Sequence, residues 1–365
     1  MTDTGSYISI IIPTFNRDAF LPNAIKGITK LNYQSDKYEI LIIDNGSTDN
    51  TKNISKKVIQ ENPGHTIKYI FEPSPGLLAA RHKGASEAQG DILTFIDDDI
   101  IPFPTWLTAI SKSFDDDGVQ LVGGKTLPKY EETPPAWLHQ LWGVTPYGGT
   151  SCGYLSLQDL GDQPRDIHPN YIFGLNLSIR KTALLDAGGF HPDLYPKYLQ
   201  RFQGDGETGL TLRCFNKGFK AVYNPEAGVY HCIPPQRMTI PYFENRMFYQ
   251  GVCNSYSDLR NEKELKGKNV GIPKIKKILF SYVYKAKQLL LNHVISKKGN
   301  NELPELKIIR QRMNSAYNNG YQYHQTEVKK DPELLKWVLK ENYWDYQLPG
   351  DLELYDTSDK NKKSY

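Results

Sequence analysis

The sequence has few cysteines, no long apolar run and a small net charge, and each of these features excludes a class of protein. Its four cysteines, Cys152, Cys214, Cys232 and Cys253, form neither a Cys-x-x-Cys pair nor a zinc-like spacing, so we expect reduced thiols in a cytosolic protein. No apolar run is long enough to span a membrane, and the polar start, residues 1–7, lacks the order of a signal peptide. We therefore expect a cytoplasmic protein.

The charge and size point to an ordinary globular protein. A net charge of +3 is too small to argue for nucleic acid as the main partner. With 39% hydrophobic and 23% charged residues, a chain of 365 residues is typical of one large or two ordinary domains.

The first part of the chain alternates between strand-like and helix-like patterns. Buried strands are predicted at 8–12, 39–43, 66–71, 91–96 and 120–123. A helical stripe starts near Asp18, a turn at 44–49 leads to a helix N-cap at Ser47 or Thr48, and a helix of small residues covers 76–88. This alternation predicts an α/β fold with a mostly parallel, right-handed sheet.

Three consecutive acids, Asp97, Asp98 and Asp99, follow the strand at 91–96. Because unpaired buried charge is costly, we expect them at the carboxyl end of the strand, where open α/β sheets bind ligands. Hard oxygen ligands there suit Mg²⁺ or Mn²⁺. The alternative is a solvated acidic turn without a ligand.

The middle of the chain, about 127–170, is rich in Pro, Gly, Tyr and Trp and shows no period. We expect a long irregular segment there, either an ordered lid or sugar-stacking wall, or a packed loop. Regular secondary-structure patterns resume with a strand-like run at 171–180 and a polar segment at 203–209 that begins a helix. Strands are then predicted at 220–223 and 228–230, and the second leads into His231.

The C-terminal part differs in character from the rest. Residues 272–298 form a basic amphipathic pattern that fits either peripheral contact with an anionic membrane at its inner face or packing on the catalytic domain. One more short helix is predicted at 331–346, and 351–365 is predicted to be disordered.

From about Ser9 to Pro241, these motifs together resemble the family 2 glycosyltransferases with the GT-A fold, which are inverting, metal-dependent and use nucleotide sugars. The resemblance implies a Rossmann-like central sheet flanked by helices, with a helical C-terminal extension. It implies a nucleotide-sugar half at 1–127, an acceptor and catalytic half at 128–260, and the extension at 261–350, followed by the tail.

The resemblance also implies roles for individual residues. The family's first strand and turn, which line the nucleotide pocket, match 12–17 and hence Pro13, Thr14, Asn16 and Arg17. Asp44 matches the acid that reads the base, although Asn45 stands where a second Asp is usual. Arg81 matches a basic residue that meets the nucleotide; the alternative is a plain ion pair.

The triplet matches the DxD motif of the family. On this match Asp99 is the main ligand of Mn²⁺ or Mg²⁺, with Asp97 and Asp98 supporting it and addressing the ribose. His231 matches the late histidine that completes the metal or diphosphate site, and the alternative is a structural histidine.

The general base is expected in an acidic pair at a helix start. Here Gly206 splits the pair into Asp205 and Glu207. Alignment of the residues that follow favours Glu207, with Asp205 as the second candidate and an N-terminal helix cap as the alternative for either.

The function implied is transfer of a sugar, with inversion, from a nucleotide sugar to a hydroxyl of a glycan, a lipid-linked glycan or a small acceptor. A UDP-sugar is the favoured donor. The alternatives are a nucleotidyltransferase, although residues 14–17 supply no phosphate loop, and a non-catalytic nucleotide- or carbohydrate-binding component of a polysaccharide assembly complex.

Overall fold

The computed structural model describes residues 6–267, 303–345 and 347–348. The predicted amphipathic segment 272–298 and the predicted tail 351–365 lie outside the described residues.

The N-terminal part alternates strands and helices, as predicted. All seven residues of the first strand are buried, because its β-branched run lies between two layers of helices. In chain order the elements are β1 Ile8–Thr14, α1 Leu21–Thr29, β2 Tyr38–Asp44, α2 Thr51–Glu61, β3 Thr66–Phe71, α3 Leu77–Glu87, β4 Ile92–Ile96, β5 Ile100–Pro102, α4 Trp106–Ser113 and β6 Val119–Gly123.

The second part carries shorter strands. Its elements are β7 Thr126–Tyr130, α5 Ala136–His139, β8 Gly143–Val144, β9 Thr150–Cys152, β10 Leu157–Asp159, β11 Arg165–Ile167, β12 Asn176–Arg180, α6 Lys181–Asp186, α7 Gly206–Asn216, β13 Lys220–Tyr223 and β14 Val229–Ile233.

The central sheet has eight strands in the order β11-β13-β6-β12-β4-β1-β2-β3. Its core, β1 to β4, pairs in parallel, and β12 and β11 run antiparallel to their neighbours. The predicted mostly parallel sheet is confirmed. Because β4 lies between β1 and β12, the acids that follow it emerge near the middle of the sheet's carboxyl edge.

A second sheet contradicts the prediction that 127–170 is irregular. Its six strands follow the order β5-β14-β7-β10-β9-β8, so several short stretches of that segment pair with β14 or with one another. The strands β8, β9 and β10 are only two or three residues long, too short for an alternating pattern to be recognised in the sequence.

Two local predictions were also wrong. The second helix begins at Thr51 rather than after Ser47 or Thr48, because the amide of Ser47 bonds Asp44 Oδ1 and the amide of Thr48 bonds Asn16 Oδ1. His231 does not follow its strand but lies in the middle of β14, where its backbone pairs with both β5 and β7.

The C-terminal region is helical, as predicted, with α8 Ile240–Gly267, α9 Pro304–Lys330 and α10 Pro332–Val338. The helix α8 begins well before residue 260. Buried residues of α10 join the core beneath the central sheet, so the C-terminal part packs against the N-terminal layers. No helix among the described residues is long and apolar enough to cross a membrane.

Candidate active site

The three acids lie in the turn between β4 and β5, as predicted. Asp98 is held from β1: Thr14 Oγ1 donates to Asp98 Oδ2 at 2.7 Å, and Arg17 Nε lies 3.9 Å from Asp98 Oδ1. Asp98 and Asp99 are buried, whereas Asp97 is partly exposed. The first strand and its turn therefore support the acidic turn directly.

Two side chains from β14 and the segment after it, His231 and Arg237, face Asp99. Arg237 Nη2 donates to Asp99 Oδ2 at 2.8 Å, and His231 Nε2 lies 3.5 Å from Asp99 Oδ1. Arg237 Nη1 also donates to His231 Nε2 at 2.6 Å. Since the imidazole Nδ1 bonds the Leu155 carbonyl at 3.0 Å, Nδ1 carries the proton and Nε2 offers its lone pair.

Burial and neighbouring charge separate the pKa values of the three acids. Burial, then the charge of Asp99, raises the pKa of Asp97 to about 6 and that of Asp98 to about 7. Burial opposes ionisation of Asp99 as well, but the positive charges of Arg237 and Arg17 hold its pKa below the usual range. Asp99 is thus the fixed negative charge of the turn.

A second ion pair joins distant elements beside this turn. Arg81 Nη1 on α3 donates to Glu207 Oε2, in the first turn of α7, at 3.4 Å. Gly174 makes room for the pair, because a Cβ there would collide with the Arg81 guanidinium. The buried Arg81 Nε has no acceptor among the described residues.

Asp97 connects the two ion pairs. Its pKa responds to Asp99 and Arg237 on one side, and to Arg81 and Glu207 on the other. Arg81 and Glu207 therefore lie near enough to Asp97 to influence its ionisation, although the segments are far apart in the sequence.

The two candidates for the base differ in their surroundings. Asp205 is engaged on both oxygens, by His191 Nδ1 at 2.6 Å and by Ser257 Oγ at 2.7 Å. The side chain of Glu207 is 26% exposed. Burial opposes ionisation of Glu207, but Arg81 and Arg246 hold its pKa below the usual range, so it is a carboxylate at neutral pH.

The residues predicted to meet the nucleotide lie at the carboxyl ends of β1 and β2. Pro13 and Thr14 pair in register with Ile43 and Asp44. Asp44 is buried and accepts from the Ser47 amide at 2.8 Å and from the Tyr69 hydroxyl at 2.7 Å.

Asn16, with a left-handed backbone (φ 53°), uses its side-chain oxygen to hold the 47–49 turn. Nucleotide contact by Pro13, Thr14, Asn16, Arg17 or Asp44 stays a prediction.

Cavities border the acidic turn and the base residue. One of about 470 Å³ is lined by α1, by Asp98 and Asp99, and by parts of β5, β7 and β14. A smaller one, of about 60 Å³, lies between Glu207 and the α8 residues Arg246 and Tyr249. Glu207 therefore borders a cavity bounded by α8.

The residues around Asp99 suit a divalent cation. Asp99 Oδ1 is buried and accepts no hydrogen bond from any described residue, and His231 presents an unprotonated nitrogen toward it. In the part of the chain that the structure describes, no three His, Cys, Asp or Glu side chains form a ready-made metal cluster. A metal bound here needs further ligands from phosphate or water, as is usual for Mg²⁺.

Comparison with known proteins identifies the family. The sequence model described as Glycosyl transferase family 2 matches residues 9–184. The chain belongs to this family. The match covers the acidic turn and Arg81, and the predicted family 2 membership and glycosyltransferase class are confirmed.

Two similar proteins come from Haloferax volcanii. Glycosyltransferase AglE is 30% identical over 224 residues, which span 61% of this chain and 66% of AglE. Glucosyl-dolichyl phosphate glucuronosyltransferase is 20% identical over 259 residues, 69% of this chain and 77% of that protein.

A solved structure supports the fold. The mannosyltransferase PcManGT from Pyrobaculum calidifontis, in complex with GDP-Man and Mn²⁺, has a TM-score of 0.52 at 17% identity, over 94% of this chain and 88% of that one. Together with the two sheets and the helical C-terminal region, this likeness confirms the predicted GT-A architecture of the family 2 chain.

Several residues near Asp99 and Glu207 were not predicted from the sequence. Arg237, Arg246 and Asp193 surround Asp99 or Glu207, and the pKa of Asp193 is raised to about 6 by burial and by Glu207. Arg237 follows His231 by six positions, a proximity that could have drawn attention to it. Nothing in the local pattern marks Asp193 or Arg246.

Proposed function

We propose that this protein is a metal-dependent, inverting glycosyltransferase. It transfers a sugar from a nucleotide sugar, with a UDP-sugar favoured, to a hydroxyl of a glycan, a lipid-linked glycan or a small acceptor. The observation that carries the proposal is the buried Asp99 carboxylate at the carboxyl edge of the sheet, whose Oδ1 accepts no hydrogen bond from any described residue and lies 3.5 Å from His231 Nε2.

On the donor side, Asp99 and His231 are the proposed metal ligands, with Asp97 in support. Bound Mn²⁺ or Mg²⁺ supplies the positive charge that makes a nucleoside diphosphate an acceptable leaving group. Thr14 and Arg17 hold Asp98, and through it the turn, in position. Asp44 and the β1 turn are the proposed contacts of the nucleotide.

On the acceptor side, Glu207 is the proposed general base. A carboxylate at this position takes the proton of the acceptor hydroxyl as that oxygen attacks the anomeric carbon from the face opposite the leaving group. Arg81 orients the carboxylate through the 3.4 Å pair and keeps it ionised. The acceptor approaches through the cavity between Glu207 and α8.

The names of similar proteins support the finer parts of the proposal. The glucuronosyltransferase relative acts, by its name, on glucosyl-dolichyl phosphate, which favours a lipid-linked acceptor. The PcManGT complex contains Mn²⁺ and also GDP-Man, so GDP-mannose belongs beside the UDP-sugars in any donor screen.

The test is release of nucleotide from a panel of UDP-, GDP- and dTDP-sugars, with and without Mn²⁺. Wild type is compared with Asp99→Asn and with Asp36→Asn, a matched change at an exposed residue before β2, at the opposite edge of the sheet. We expect Mn²⁺-dependent release from one donor class, lost in Asp99→Asn and kept in Asp36→Asn.

If no donor is consumed, thermal shift with free UDP and GDP decides the outcome. Mn²⁺-dependent stabilisation by one diphosphate means that the acceptor is missing from the assay. Stabilisation by neither contradicts the proposal. Turnover that requires a nucleoside triphosphate and releases pyrophosphate instead favours the nucleotidyltransferase alternative.

A further inference from the structure

Arg237 contacts both residues that are proposed as metal ligands, Asp99 and His231. It lies in the 3₁₀ helix Pro235–Met238, directly after β14, and its side chain is 19% exposed. One guanidinium nitrogen is 2.8 Å from Asp99 Oδ2 and another is 2.6 Å from His231 Nε2. The guanidinium thus bridges the oxygen and nitrogen ligands proposed for the metal.

The guanidinium and the metal cannot use the same ligands at once. His231 has a single lone pair at Nε2, and that lone pair accepts from Arg237 while Nδ1 is committed to Leu155. A metal held by His231 would need that same lone pair, which would leave no acceptor for the arginine. The two occupants are therefore mutually exclusive at His231.

Without Arg237 or a metal, the buried Asp99 carboxylate would lose the cation that contacts it directly and keep only the more distant charge of Arg17. The side chain of Asp99 is 2% exposed, and loss of one partner of a buried pair is strongly destabilising because the remaining charge is uncompensated. A built-in cation therefore stabilises the protein whenever the metal is absent.

We propose that Arg237 is a resident counter-ion that exchanges with the metal. In the free protein it neutralises Asp99 and caps His231. When the metal and nucleotide sugar bind, it leaves His231 and pairs with a diphosphate oxygen, a geometry that suits a guanidinium. This inference rests on the proposed function. Because Arg237 competes with the metal, the exchange predicts weak metal binding without nucleotide and strong metal binding with nucleotide.

The main experiment is calorimetric titration of Mn²⁺ alone into wild type and Arg237→Met. We expect the variant to bind Mn²⁺ at least about tenfold more tightly, because the competing cation is gone. With Mn²⁺ saturating, we expect the variant to bind UDP or GDP more weakly than wild type, because a phosphate partner is lost. These opposite shifts distinguish exchange from a general loss of structure.

A matched control removes a positive charge elsewhere. Arg312→Met deletes a guanidinium that pairs with Glu244 on the surface, between α9 and α8. It should leave the affinity for Mn²⁺ unchanged, whereas a change equal to that of Arg237→Met would attribute the effect to net charge and overturn the proposal.

Thermal unfolding gives a second readout that requires no turnover. Without metal, Arg237→Met should melt below wild type, and Mn²⁺ should raise its Tm by more than it raises that of wild type. Adding Asp99→Asn to the variant should restore part of the metal-free Tm and abolish the rise with Mn²⁺. If Arg237→Met does not fold, Arg237→Gln, which keeps one donor without the charge, is expected to show the same tighter binding of Mn²⁺.

Different results of the Mn²⁺ titrations would refute the exchange and the proposed function. If Mn²⁺ binding depends on Asp99 but is equal within about twofold in wild type and in the Arg237 variants, the exchange is refuted and the metal site stands. If Mn²⁺ binding does not depend on Asp99 in any variant, the proposed metal-dependent reaction itself is refuted.

Discussion

Glu207 and Asp205 are two residues apart in sequence, yet their carboxylates have different neighbours. Glu207 contacts Arg81 beside the acidic turn, whereas Asp205 is tied to His191 and Ser257. We predict that Glu207→Gln lowers kcat by about 10²–10⁴, the usual contribution of a general base, and leaves the Kd of the nucleotide diphosphate unchanged. The measurement is steady-state transfer together with calorimetric binding.

The comparison variant is Asp205→Asn. It should reduce the free energy of unfolding by about 1–3 kcal/mol, because a buried charged hydrogen bond is weakened, and should lower kcat much less than Glu207→Gln. The reverse order of the two effects on kcat would assign the base to Asp205.

The helices α8 and α9 approach each other closely at two glycines. A Cβ at Gly320 would collide with the Phe248 carbonyl oxygen, and one at Gly251 with the Tyr317 carbonyl oxygen. We predict that Gly320→Ala lowers the free energy of unfolding by about 1–3 kcal/mol in urea denaturation, because the backbones must separate. Helix propensity alone predicts the opposite sign, a gain of about 1 kcal/mol.

The control is Gly64→Ala, at a glycine with open space around it. We expect a change within about 0.5 kcal/mol there. If Gly320→Ala stabilises the protein instead, the two helices do not cross as closely as described.

Elements of different length were unequally predictable. The strands β1, β2 and β4 follow from runs of five or more buried residues, and the bounds of β3 and β13 were predicted residue for residue. The second sheet was missed because β8, β9 and β10 acquire their strand conformation by pairing with neighbours rather than from local pattern.

Across the whole molecule, His82 ties the N-terminal layers to the C-terminal segment. Its Nε2 accepts from the Phe190 amide at 2.9 Å, its Nδ1 bonds the Tyr343 carbonyl at 3.3 Å, and its ring stacks on Trp344 at 4.0 Å. Burial lowers the pKa of His82 from 6.5 to about 3. The unfolded chain therefore binds a proton between these pH values that the folded protein does not.

This linkage gives a pH prediction with a definite sign. The contribution of His82 is complete above about pH 6.5 and is lost by about 1.4 kcal/mol per pH unit as the pH falls toward 3. Between pH 7.5 and 5, wild type should therefore lose about 2 kcal/mol more unfolding free energy than His82→Gln. Urea denaturation at both pH values measures the difference.

The matched control for this prediction is His139→Gln, at an exposed histidine. It should lose the same unfolding free energy as wild type between the two pH values. Equal pH dependence of His82→Gln and wild type would show that the His82 ring is not buried in a neutral form.

The sequence by itself determined the local elements and the place of the acidic turn. A β-branched strand followed by three acids can be buried only if the acids lie beyond its end. The position of Asp97, Asp98 and Asp99 could therefore be predicted without a structure. The family resemblance could be recognised because several short motifs occur in the order typical of the family, and each motif consists of a few neighbouring residues.

Only the tertiary structure decided which side chains meet. The Arg81–Glu207 pair joins residues 126 positions apart, and the Arg237–Asp99 pair joins residues 138 apart. Such contacts depend on how strands cross and sheets stack, which no local pattern encodes. For the same reason the preference for Glu207 over Asp205 rests on the family resemblance, and the structure adds that the two carboxylates have different partners.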